Sequence, residues 1–255
     1  MENAKDKQAE IGVLGTGRMG QRLAAMFASA GRNVILGSRD SAKAVEIAEA
    51  LAIPTLRGGS NAEAARAPAV LPAIFIRDGL LDLLDRHGAD LTGKLLIDIS
   101  NPFNSDYSDF ITPWDTSGAE EIQRRIPQAQ VVGAYKNVFW GVFDSPRFGE
   151  ELSDVLVTGD DEAAKAHFLR LAAGTPFRYI DAGPLANSRT VERLTLITSR
   201  AGRQLNSYPQ MNWLLLTHPQ SAGLVAACSV TIRQSCRRPA STPGSASGGD
   251  PCALP

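Results

Sequence analysis

Residues 10–20, EIGVLGTGRMG, set Gly15, Gly17 and Gly20 in the spacing G-x-G-x-x-G between a short apolar run and a segment of helical periodicity. In a strand–turn–helix each glycine has its own task. Gly15 permits the tight turn, Gly17 lets a ligand approach the backbone, and Gly20 lets the helix pack closely on its strand. The N–H groups of Thr16, Gly17, Arg18 and Met19 then lie at the positive end of a helix, where an anion such as a pyrophosphate is favoured. A glycine turn that only reverses the chain is the competing reading, and the flanking patterns argue against it.

Working outward, Met19, Leu23, Met26 and Phe27 recur at helical spacing up to Gly31, a C-terminal cap. NVILG reads as a second strand, and Ser41 is expected to cap a helix carrying Val45, Ala48 and Leu51 on one face. Further strands are expected at AVLPAIFI, KLLIDIS, AQVVGAY, SDVLVTG and FRYIDAG, with helices near 80–85, 119–125 and 161–172. Pro72 sits inside the first of these runs, so that strand is expected to be bulged or shortened there. From Ala186 a helix should present Val191, Leu194 and Ile197. Apolar runs alternating with helical segments are the pattern of parallel strands joined by crossover helices. The fold class is therefore α/β: a Rossmann-type doubly wound parallel sheet with a small C-terminal α/β part.

The end of the second strand carries the next signal, ILGSRDSAK at 35–43. In NAD-specific domains an acidic side chain at this place binds the ribose hydroxyls and would repel a phosphate on the 2′ oxygen. Ser38 removes that repulsion. Arg39 can fork onto phosphate oxygens, and Lys43 adds a positive charge near the start of the next helix. Asp40 is the dissonant residue, expected either to face solvent or to help cap that helix. The pattern favours NADP over NAD; a solvated basic turn is the plainer alternative. The expected organisation is an NADP-binding domain over residues 8–144, a smaller part closing the cleft over 145–221, and a tail over 222–255 that is too rich in Pro, Gly and Ser to pack and reads as disordered.

Composition narrows the classes further. With 255 residues, 44% of them hydrophobic, the chain can bury a full core, and a formal net charge of -1 supplies no basic field for nucleic acid or an anionic membrane. The N-terminus lacks the apolar run of a secretory signal. WLLLTHPQSAGLVAACSV is interrupted by His218, Pro219 and Gln220, short of the ~20 apolar residues of a membrane span. A cytoplasmic location is expected. Cys228, Cys236 and Cys252 have no CxxC spacing, and His87, His167 and His218 are isolated, so no metal site is expected.

Two later stretches add a family resemblance: IDISNPF at 97–103, and GDDEAAKAHFLRLAAGTPFRYIDAGPLANSRTVERLTLI at 159–197. With GTGRMG and GSRDSAK they resemble the NADP oxidoreductases that use coenzyme F420, a deazaflavin, and the cytosolic domain of the six-transmembrane metalloreductases. The resemblance spans roughly residues 10 to 200, and DAGPLANSR followed by VERLT is its most specific part. It implies an NADPH-binding domain whose nicotinamide lies against a second planar acceptor, with direct hydride transfer and a homodimeric assembly. Ring alignment and water exclusion matter more to such a reaction than an acid–base pair.

Residue by residue, the resemblance puts Thr16, Gly17, Arg18 and Met19 at the pyrophosphate and Ser38, Arg39 and Lys43 at the 2′-phosphate. Ala73 and Ile74, ending the fourth strand of the implied sheet, and Asn101 with Pro102, after the fifth, fall near the ribose and nicotinamide; a plain turn is the alternative for Asn101-Pro102. Arg189 matches an arginine near the acceptor, or else is a solvent-facing residue at a helix start. AYKNVFWGVF departs from the family pattern, so Lys136, Asn137 and Trp140 are acceptor-site candidates, with Trp140 equally readable as a core aromatic. The reading is an NADPH:deazaflavin oxidoreductase acting on small molecules. The alternatives are an NADPH-dependent reductase of a flavin, ketone or imine, and a non-catalytic NADPH-binding regulator.

Overall fold

A computed structural model describes residues 8–216. The tail over 222–255, the three cysteines, His218 and the end of the expected C-terminal part lie outside the described residues. The chain runs β1 (Ile11–Leu14), α1 (Arg18–Ser29), β2 (Val34–Ser38), α2 (Ser41–Leu51), β3 (Leu56–Ser60), α3 (Asn61–Ala65), β4 (Ala69–Pro72), α4 (Leu80–Arg86), α5 (Gly88–Leu91), β5 (Leu95–Asp98), α6 (Gly118–Arg125), β6 (Gln130–Gly133), β7 (Arg147–Phe148), β8 (Glu151–Leu152), β9 (Asp154–Val157), α7 (Glu162–Ala172), β10 (Arg178–Asp181) and α8 (Ser188–Gln204).

Six strands form one sheet in the order β3-β2-β1-β4-β5-β6, every pair parallel. Both faces are covered, and the period of two along each strand divides the core. Val13, Leu36, Leu71 and Ile97 meet Phe27 and Phe168 on one side; Leu14, Ile35, Val70 and Leu96 meet Ala64, Leu84 and Ile122 on the other. The order reverses between β1 and β4, which opens a crevice beyond the carboxyl ends of the strands.

β9 and β10 form a separate parallel pair, linked to the main sheet by the bridge between Gly133 and Thr158. An aromatic cluster fastens this part to the sheet. The Tyr135 ring meets Phe27, Phe168, Phe177 and Tyr179 edge-on, and its hydroxyl lies 2.7 Å from that of Tyr179. The chain after α8 folds back: Asn212 Nδ2 donates to the Asp154 carbonyl at 2.8 Å and Trp213 Nε1 to Thr198 Oγ1 at 2.6 Å.

Pro72 is the last residue of β4, so of the two expected outcomes the strand is shortened. Other expectations are corrected. Asp40, not Ser41, caps α2: its carboxylate accepts the Lys43 N–H at 3.2 Å. The buried side of that helix is Ala44 and Ala48, whereas Val45 and Leu51 are exposed, because β3 brings Gly58 against the Ala44 backbone. β3 itself, LRGGS, has no apolar run to announce it. On α8 Val191 is buried as expected, but the rest of the buried side includes Glu192, Thr195 and Thr198, while Ile197 is 61% exposed. An apolar stripe is absent there because the helix packs over a buried charge cluster and the cleft.

Candidate nucleotide and acceptor cleft

At the tip of β1, Gly15 adopts φ +112°, a conformation few side chains tolerate, and its N–H donates to the Gly37 carbonyl at 2.9 Å. A Cβ on Gly20 would overlap the Gly15 carbonyl oxygen, so this glycine is a packing requirement of α1 on its own turn. Gly17 is different: a Cβ there would meet nothing within 4 Å. Gly17 caps α1 with no side-chain hydrogen bond, leaving the first N–H groups of the helix directed into the cleft mouth. The space beside Gly17 is open where a side chain would stand. Gln21 steadies the turn by donating to the Thr16 carbonyl at 2.8 Å.

One strand away, Ser38 Oγ accepts the Asp40 N–H at 3.2 Å while Asp40 is engaged as the α2 cap. Arg39 and Lys43 are exposed, and their side chains make no hydrogen bond or ion pair among the described residues. Two uncommitted cations therefore flank the turn, on the same cleft as Gly17. Asn61, at the start of α3, was not read from the sequence. It is buried, lines this end of the cleft, and its Oδ1 has no partner.

The cleft has a volume of about 1000 Å³ and extends past Ala73 and Ile74 to the end of β5. There Asn101 Nδ2 donates to the Lys136 carbonyl at 2.8 Å, which fixes the amide and leaves Oδ1 without a partner. Pro102 is buried behind it. Trp140 lines the opposite wall, with the Arg18 guanidinium 4.6 Å from its ring centroid. Arg22 lies 5.3 Å from the same ring and clamps Asp144 through two hydrogen bonds of 2.9 and 2.7 Å.

The other acceptor-side candidates go elsewhere. Lys136 is 1% exposed, and its ammonium lies 2.5 Å from Asp98 and 2.8 Å from Glu192 while donating to the Ser100 carbonyl at 2.6 Å. Glu192 also accepts the Gly118 and Ala119 N–H groups at 2.9 and 3.2 Å. Burial pushes the Glu192 carboxyl up; burial opposes the Lys136 charge, yet Asp98 and Glu192 hold that ammonium above its ordinary range. The lysine is the counter-ion of two buried carboxylates and does not line the cleft.

Asn137 is also buried. It donates to the Asp154 carbonyl at 2.8 Å and accepts the Leu156 N–H at 3.1 Å, which holds β9 against the sheet. Arg189 clamps Glu120 by donating from Nε, at 2.8 Å, and from Nη2. That pairing holds the Glu120 carboxyl below its ordinary value of 4.5. In place of these residues, α8 contributes Thr195, Ser199 and Arg203 to the lining. Their i, i+4, i+8 spacing was the available signal, hidden because it is a polar stripe on a helix whose apolar residues drew the eye.

With this geometry in view, comparison with known proteins decides the family. Residues 10–102 match the model of the NADP oxidoreductase, coenzyme F420-dependent, family. The F420-dependent NADP reductase of Methanothermobacter marburgensis is 33% identical over 201 residues, 73% of this chain and 89% of that protein. The chain belongs to this family. It is also 30% identical over 191 residues to the metalloreductase STEAP3 of Rattus norvegicus, of which it spans only 36%. The crystal structure of a candidate F420-dependent NADP-reductase from Arthrobacter sp. FB24 superposes with a TM-score of 0.69 at 27% identity, covering 78% of this chain and 95% of that one. The cleft runs from the turns after β1 and β2 to the side chains of α8.

Proposed function

We propose that this protein transfers a hydride between NADP(H) and coenzyme F420, with residues 8–144 binding the dinucleotide and 145–221 closing the cleft. The observation that carries the reading is the pair of uncommitted cations, Arg39 and Lys43, beside a Gly17 cradle on one continuous cleft. When bound, NADPH would supply one proton and two electrons together as hydride, and reduction of the acceptor would be completed by one proton from solvent.

The chain's own residues do the holding. The Thr16–Met19 turn binds the pyrophosphate, Arg39 and Lys43 the 2′-phosphate, and Ser38 leaves room for it. Asn61 Oδ1 is an acceptor suited to a donor on the adenosine end. Ala73, Ile74 and Asn101 set the nicotinamide end, where the free Asn101 Oδ1 can take a carboxamide N–H. Phe139 and Trp140 form a flat wall that excludes water from the meeting of two rings.

Among the described residues no helix is long and apolar enough to cross a membrane. We place the protein in the cytoplasm, as a homodimer; the exposed Ile197 and Leu205 are apolar surface such an assembly would cover. Light scattering on a sizing column tests the dimer. The activity is tested by following the nicotinamide absorbance of NADPH with F420, FMN, FAD, a ketone, an imine and ferric chelates in turn. Turnover with F420 is expected. Turnover with another acceptor and none with F420 overturns the assignment, and NADPH binding with no turnover on the whole panel would point to a regulator.

A further inference from the structure

Five cations line the cleft: Arg18, Arg39, Lys43, Arg86 and Arg203. Four belong to the sheet and its first crossover helices. Arg203 alone comes from α8, and it has no carboxylate partner among the described residues. Its guanidinium is 4.9 Å from the Tyr208 ring centroid, and Tyr208 in turn meets Phe139 edge-on at 5.7 Å. The aromatic support orients the cation without neutralising it. Below it on the same side of the helix, Ser199 and Thr195 also line the cleft.

A cation held in this position without a carboxylate partner suits a second ligand that brings an anion. The acceptor-side cations expected from the sequence, Arg189 and Lys136, are spent on Glu120 and on Asp98 with Glu192, and Arg193 of α8 faces Asp109. We infer that Arg203 is the residue that selects an acceptor with an anionic side arm, by pairing with the acidic tail of the deazaflavin while Tyr208 and Phe139 lie along the path to the ring. Arg203 touches the tail and not the reacting atoms, so it sets affinity and leaves the hydride step alone. The assignment rests on the proposed function, and the test separates the two.

The test compares full F420 with the deazaflavin that lacks the phosphate and glutamate tail, using wild type, Arg203→Gln, Arg203→Lys, and Arg200→Gln as an exposed control outside the cleft lining. Steady-state kinetics are read together with direct binding from deazaflavin fluorescence without NADPH. For Arg203→Gln, KM and Kd for full F420 should rise roughly tenfold to a hundredfold, the range of one charge-assisted contact. Constants for the tail-less compound, kcat and the KM for NADPH should not move, and Arg203→Lys should recover part of the loss. Equal losses on both deazaflavins, or no loss on full F420, overturn the assignment while the proposed function stands. Failure of the wild type to bind or reduce either deazaflavin overturns both.

Discussion

Arg39→Ala is the sharpest probe of the donor half. The Arg39 side chain is exposed and makes no internal hydrogen bond or ion pair, so its removal breaks nothing in the fold. What it should lose is the proposed contact with a 2′-phosphate. A hydrogen bond to a charged group contributes about 1.5 to 3 kcal/mol. At about 1.4 kcal/mol per decade, that is roughly a 10- to 150-fold weaker Kd for NADPH. Lys43, four residues along at the first turn of α2, retains part of the attraction, which favours the lower half of that range. NADH lacks the phosphate and should bind equally to wild type and variant. Titration of both dinucleotides against protein fluorescence, with a melting curve for each variant, gives the two numbers. Equal losses for NADPH and NADH would refute the reasoning, as would an unchanged preference between them; a lowered melting temperature would show an internal duty for Arg39 that the geometry does not contain.

Two glycines give a second test, since the same added methyl has opposite consequences. Gly17→Ala should fold within about 1 kcal/mol of wild type and lose NADPH affinity, whereas Gly20→Ala should be strongly destabilised by the overlap with the Gly15 carbonyl, as urea unfolding and NADPH titration would read. Lys136→Met leaves Asp98 and Glu192 buried without their counter-ion and should cost about 3 to 5 kcal/mol in urea unfolding; a loss below ~1 kcal/mol would mean the cluster is not what ties α8 to the sheet. Glu120 is held below 4.5 chiefly by its hydrogen bonds from Arg189, so the native state binds that proton less readily than the unfolded chain. The stability this gives is present above about pH 4.5 and is lost as pH falls through the lowered value. Arg189→Gln should therefore melt lower than wild type at neutral pH, with the gap closing in acid; a gap constant from about pH 7 to about pH 3 would contradict the pairing.

The donor half was legible because its chemistry is local. Three glycines in six residues, and Ser38, Arg39 and Lys43 on one turn, state their purpose without reference to the rest of the chain. The other end of the cleft, proposed for the acceptor, is assembled from the end of β5, the loop after β6, and α8, so the partners of a residue lie far off in sequence. Lys136 looked like a free cation in AYKNVFW because nothing nearby pairs with it; its partner Glu192 is 56 residues away. α8 misled for a related reason: hydrophobic periodicity reports burial against an apolar core, and this helix buries Glu192, Thr195 and Thr198 instead. β3 escaped notice because its requirement is for no side chain at Gly58, where the Ala44 backbone presses, and strand signals are read from side chains.

The separation of duties between Gly20 and Arg39 bears on how such a protein diversifies. Gly20 packs α1 on its turn and cannot take a side chain without a clash, whereas Arg39 and Lys43, the residues proposed to choose between the two dinucleotides, make no side-chain hydrogen bond or ion pair among the described residues. A lineage can thus walk from one donor to the other by single steps at 38, 39 and 43, each intermediate still folded. On the proposed reading a change of redox pool leaves the packing of the chain untouched, whereas a side chain at Gly20 would not.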